Sequence, residues 1–405
     1  MPPLDRRLFL RGLATAACSA AAHPMLSTVT FAGSDGAAPL GDHRLVVVIL
    51  RGAMDGLDLL RPVGDPLLKS YRPTLSEIQG IDLDGYFALH PDLGDLMPLW
   101  AKGQLGFANA VSTPYRDQRS HFDGQDILEA GTGLDVPDGS VRDGWLNRML
   151  QAVPGLQSDT AYAVGGEAMA LLRGPAPVSD WMPDLALELS AQNRLLLDHI
   201  YHDDALFRDA AAEAMVLTDS LSSARTDGSM AGDVSDNRRL ADIDRLVDFT
   251  ADRLSGASRI AAFSLSGWDT HRNQKGPISL QMRRLSRMVA RLSTGMGPQV
   301  WDKTLVLAMT EFGRTVRENG SRGTDHGTGG AMLMAGGALK GGRVMGRWPG
   351  LAEANLYQGR DLMPTSDVRA WAAWAMRGMY GFDRALLERS VFPGLDMGEN
   401  PGFLA

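Results

Sequence analysis

Cysteine is almost absent: the 405-residue chain has one, Cys18, close to its N-terminus. With Cys18 in a removable leader, the remainder has no disulfide framework and no thiolate ligand, so a metal would be held by imidazole and carboxylate. Positive charge is in deficit, 40 Lys and Arg against 48 Asp and Glu, for a net charge of −8. That balance argues against a nucleic-acid partner or an anionic membrane surface. Long apolar runs are missing as well. None approaches the roughly 20 residues that span a bilayer, so no stable membrane span is expected. What is there is globular composition, 44% hydrophobic and 22% charged, in a length that suits one large α/β domain with insertions.

Arg6 and Arg7 precede an apolar helix former, and Gly12 to Ala22 is a small-residue, weakly hydrophobic stretch. This is the pattern of a twin-arginine export signal. The expectation is a signal over 1–32 read by the twin-arginine translocase, a linker over 33–42, and a domain over 43–405 with a helical insertion around 190–250. A periplasmic or secreted product follows, and folding before export suits a protein that must first acquire a metal. His199 and His202, three apart in the insertion, read as a solvated pair.

Four apolar runs end in polar, chemistry-bearing loops. Arg44 to Leu50 runs into Arg51-Gly52-Ala53-Met54-Asp55-Gly56, where Asp55 can either ligate or cap a helix. Leu105 to Val111 leads to Arg119-Ser120-His121; Ser120 at a helix N-terminus is a candidate nucleophile or a plain N-cap, with Arg119 and His121 as anion or base neighbours. Arg259 to Ser266 leads to Asp269-Thr270-His271, whose one-residue spacing lets both side chains grip one cation. Thr304 to Met309 leads to Glu311 and Arg314, and then to Asp325-His326. Arg51 and Arg314 are candidates to hold a substrate. An amphipathic helix is expected from His90 to Trp100, and others over Ile278 to Leu292 and Val368 to Tyr380.

Such separated side chains meet only if the strands share one sheet edge. The expected fold class is therefore α/β, a three-layer sandwich with a mostly parallel central sheet and helices on both faces. Carboxylates with imidazoles suit one or two divalent cations: zinc, manganese, calcium or magnesium.

The segments LRGAMDGLD, ALHPDL, RSHFDGQDILE, GWDTH and TEFGRTVRENGSRGTDHG together resemble the exported bacterial proteins of domain of unknown function 1501. That family is placed in the alkaline phosphatase and sulfatase superfamily, which implies an alkaline phosphatase-like sheet and a two-metal site. Carried over by this resemblance, Asp55 is the first-strand ligand and Ser120 the nucleophile. Asp269 and His271 bind one metal, Glu311 is the later acidic ligand, and His326 is the last histidine. Glu311-Phe312 stands where the superfamily has Asp-His, so Asp325-His326 or His121 would have to replace one imidazole. The implied activity is metal-dependent hydrolysis of phosphate or sulfate esters. The alternative is a non-catalytic exported binding or metal-binding accessory protein on the same fold.

Overall fold

The computed structural model describes residues 40–133, 143–165, 169–181 and 234–405. Arg6, Arg7, Cys18, the His199–His202 pair and most of the expected insertion lie outside those residues.

Among the described residues the centre is a nine-stranded sheet. Its strands are β1 (Arg44–Arg51), β2 (Leu105–Ser112), β3 (Ala161–Val164), β4 (Ser179–Trp181), β5 (Ile260–Ser266), β6 (Thr304–Met309), β7 (Gly330–Ala335), β8 (Arg343–Met345) and β9 (Ser366–Asp367). Their order is β8-β2-β7-β6-β1-β5-β3-β4, with β9 also on β2. Every pairing is parallel except the two made by β7.

The period-two alternation of β1 builds both layers of core. Leu45, Val47 and Ile49 enter one cluster, under α2 (Trp145–Gln151) and α5 (Val368–Tyr380), while Val46, Val48 and Leu50 enter the other, under α3 (Val234–Ser255) and α4 (Lys275–Gly295). Helix α1 (His121–Ala130) follows β2. Arg287 and Arg291 of α4 are not simply solvated; they pair with Asp244 and Asp248 of α3. No helix of the described residues is long and apolar enough to cross a membrane.

Two expectations need correction. The single helix from His90 to Trp100 is a 3-10 segment, Pro91–Leu96, followed by one short helix, Met97–Ala101. Pro91, Gly94 and Pro98 interrupt the register that the apolar spacing suggests. The sheet is mostly parallel, as expected, but the four strands that end at the site are not all neighbours: β7 lies antiparallel between β2 and β6. The connection from β6 to β7 contains no helix to carry a crossover, so the chain turns back beside the strand it has just left. That return places the start of β7, and His326 just before it, at the same edge as the ends of β1, β2, β5 and β6.

Candidate metal centre

Close backbone packing fixes where Asp269 sits. Gly52, at φ +112, lets the end of β1 press against the Trp268–Asp269 backbone, where a Cβ would lie 2.6 Å from Asp269 N. Gly323 does the same for the loop ahead of His326, since a Cβ there would lie 2.4 Å from the carbonyl carbon of His271. Three histidines from three different strand ends then converge on Asp269. Its Oδ1 lies 2.9 Å from His271 Nε2, 3.3 Å from His326 Nε2 and 3.5 Å from His121 Nε2. His271 Nε2 and His326 Nε2 are 3.0 Å apart. Ligating atoms of His121, Asp269 and His326 all lie within 4.8 Å of one another.

The other ring nitrogen of each histidine is held by an acceptor. His121 Nδ1 donates to Glu311 Oε1 at 2.8 Å, His326 Nδ1 to the Arg119 carbonyl at 2.8 Å, and His271 Nδ1 faces Asp325 Oδ1 at 3.4 Å. A carboxylate or carbonyl can only accept, so at His121 and His326 the proton sits on Nδ1 and the Nε2 lone pair points inward, while His271 holds an acceptor at each ring nitrogen, the nearer at Nε2. His121 Nε2 is buried with no hydrogen-bond partner. Such outward anchoring is what metal-ligating histidines show. Phe312 stacks on the His121 ring, centroids 5.2 Å apart, and fixes its plane.

The charges pull the two anchored histidines in opposite directions. The Glu311 hydrogen bond raises the pKa of His121 against the opposing effect of burial. Burial dominates at His326 and lowers it, favouring the neutral imidazole. At Asp269 burial is outweighed by the hydrogen bond and charge of Arg314, which hold the carboxyl down at about 2. Burial likewise works against charge on Glu311, and hydrogen bonds led by His121 overcome it, so its carboxyl lies below the usual range.

Several expected ligands do other work. Glu311 is fully buried, and its Oε1 accepts from Gly52 N, Ala53 N and Gln125 besides His121. It orients the His121 ring instead of facing the histidine cluster. Asp325 does the same for His271 and also accepts from Asn319 at 3.0 Å. Asp55 stands apart from the cluster: its Oδ1 caps Leu57 N, and its Oδ2 accepts from Arg72 and Gln274, each at 2.7 Å. Both oxygens are consumed inside the protein, so the capping role is the one realised.

The expected catalytic and substrate-binding groups also separate. The Ser120 hydroxyl accepts from Asp123 N at 3.4 Å as the cap of α1, and none of its hydrogen bonds among the described residues goes to a histidine. Arg314 is wholly buried; it donates to Asp269 Oδ1 at 2.6 Å and to the carbonyls of Gly52, Ala53, Trp268 and Thr324, so it braces the loops from inside and is not exposed to a substrate. Arg51 spans to Glu129 at 2.7 Å, Gln125 at 2.8 Å and Ser264 at 2.6 Å, bracing β1 to α1 and β5. Arg119 contributes its carbonyl, and its guanidinium, one-third exposed, makes one long ion pair of 3.8 Å to Asp361. Sequence reasoning did not anticipate Phe312, Gln125 or the Arg119 carbonyl. Of these only Phe312, beside Glu311, carried any signal.

The donor set fits a transition ion. Three imidazoles and one carboxylate suit zinc, iron or manganese, whereas calcium and magnesium take oxygen ligands. Fold and site together define a three-layer α/β protein with a candidate metal centre at the carboxyl edge of its sheet. The chain belongs to the family described as "Protein of unknown function (DUF1501)", whose model matches residues 99–370. No curated protein matches it. Among solved structures it is similar to a protein in the alkaline phosphatase superfamily from Vibrio parahaemolyticus, with 11% identity, a TM-score of 0.40, and coverage of 91% of this chain and 77% of that one. It is also similar to the PsFucS1 sulfatase from Pseudoalteromonas sp., with 12% identity, a TM-score of 0.36, and coverage of 90% and 74%. Likenesses that distant carry nothing into the function proposed next.

Proposed function

We propose that the chain is a metal-dependent hydrolase of phosphate or sulfate esters that works with one cation, exported by the twin-arginine translocase on the Arg6–Arg7 signal to the periplasm or beyond. The observation that carries this reading is the convergence of three Nε2 nitrogens on Asp269, with His121 and His326 each anchored at Nδ1. His121, His271, His326 and Asp269 would hold the ion. A divalent ion at this position supplies Lewis acidity toward an ester oxygen. The protein's own residues then do the positioning. Glu311 and Phe312 fix the His121 ring, Arg314 fixes Asp269, and the Arg119 carbonyl fixes the His326 ring. Asp55 and Glu311, the carboxylates a second ion would need, are already saturated by Arg72, Gln274 and backbone N–H groups. One site per chain is therefore expected.

Elemental analysis of purified protein, with turnover of aryl phosphate and aryl sulfate, tests the proposal. Wild type should carry close to one equivalent of a transition metal, and His326→Ala should lose both metal and turnover. A metal-free wild type, or a His326→Ala variant of undiminished activity, sinks it. The cap role of Ser120 favours a second reading, a metal-binding accessory protein without turnover. Bound metal with no hydrolysis across both ester classes would select that.

A further inference from the structure

The loop that brings His121 to the centre is bent against its own preferences. Asp117 and Arg119 both have left-handed backbone, φ +66 and +55, and so does Gln358 opposite, at φ +53. Asp tolerates that region; Arg and Gln enter it at a cost of roughly 1–2 kcal/mol each. Such conformations persist where surrounding contacts over-determine them. Here the contacts form a clasp. The Asp117 carboxylate accepts from Tyr357 Oη at 3.1 and 3.2 Å and from Gln358 Nε2 at 2.9 Å. Arg116 lies over the Tyr357 ring, 6.0 Å from its centroid, and Arg119 reaches Asp361 at 3.8 Å.

The far side of the clasp is anchored. Leu356–Tyr357 and Asp361–Leu362 pair as a two-stranded ribbon, and Asp361 bridges to Thr315, next to Arg314. On the near side, two residues past Asp117, the Arg119 carbonyl holds His326 Nδ1, and Ser120 then starts the helix that carries His121.

We propose that Asp117, clasped by Tyr357 and Gln358, is a positioning residue that sets the metal affinity of the centre through the Arg119 carbonyl. It touches neither the ion nor a substrate. The clasp keeps residues 117–119 in the one conformation that aims this carbonyl at His326, and so keeps the His326 lone pair aimed at Asp269. This inference rests on the metal centre proposed above.

Zinc dissociation constants, measured by competition with a chelator on full-length protein, test it. Unfolding of the metal-free form serves as the control. Asp117→Ala should weaken zinc binding by roughly ten- to hundred-fold, the range for residues that support a ligand from outside the site. Tyr357→Phe, which deletes one hydroxyl, should weaken it several-fold, and the metal-free melting temperatures should move little. Zinc affinity equal to wild type in both variants overturns the proposal, as does a loss no larger than the metal-free destabilisation explains. If Asp117→Ala fails to fold, Tyr357→Phe decides alone. A wild type that takes up no zinc removes the centre itself, and the proposal with it.

Discussion

Two carboxylates at the same sheet edge meet opposite fates. Asp55 follows β1, is completely buried, and is closed by Arg72, Gln274 and Leu57 N. Asp269 follows the neighbouring β5, has a side chain 44% exposed, and faces three imidazole nitrogens on its open side. Burial pushes both carboxyls upward and both end below their usual range, because arginines overcome it: Arg72 at Asp55 and Arg314 at Asp269. The difference lies in what else converges. A carboxylate whose acceptor capacity is filled by fixed donors is architecture; one that shares an open side with imidazole nitrogens is where the proposed cation would sit.

The largest effect should come from the closed pair. Arg72→Met removes the partner of a fully buried carboxylate, which costs about 3–5 kcal/mol. Chemical denaturation should show that loss, and metal content per folded molecule should stay at the wild-type level. A variant that folds normally but loses its metal would move Asp55 into the centre and erase the contrast.

Glu311 sits between the two and sharpens the comparison. It is closed like Asp55 but acts on the open site through His121. Glu311→Gln keeps the shape and removes the charge that holds the His121 proton on Nδ1. Metal affinity should fall roughly ten- to hundred-fold, measurable by chelator competition. A Gln variant with wild-type affinity would make Glu311 as purely architectural as Asp55.

How far this contrast could be read in the sequence depends on where the partners come from. The strand ends were legible, because β1, β5 and β6 are apolar on both faces and stop at polar loops. Asp269-x-His271 and His326 were legible as members of one cluster because their chemistry is local to those ends. Asp55 and Glu311 have the same local look, yet their donors arrive from Arg72, Gln274, Gln125 and the Gly52–Ala53 backbone. No local pattern tells a filled carboxylate from an open one. His121 was named both as a neighbour of Ser120 and as one of the groups that could replace a missing imidazole; its place beside His326 emerges only once antiparallel β7 returns that residue to the same edge.

The smallest effect is a matter of pH. In wild type the folded pKa of Asp55 lies below the ordinary carboxylate value, near 3.9 when unfolded. Its stabilising contribution is therefore complete above about pH 4 and is lost as the pH falls through the folded pKa. In Arg72→Met the largest remaining influence is burial, which raises the folded pKa above the unfolded one. The sign then reverses: the protonated carboxyl is favoured by folding, and stability is lost as the pH rises through that higher value. The gap in melting temperature between wild type and Arg72→Met should thus be widest near neutrality and shrink toward about pH 4. Asp58, buried beside Asp55 and also lowered by Arg72, shifts in the same direction, so the narrowing reports this buried pair of carboxyls. A gap of constant width from neutral to acid would mean that Asp55 stays charged without its arginine, held by Gln274 and Arg314 alone.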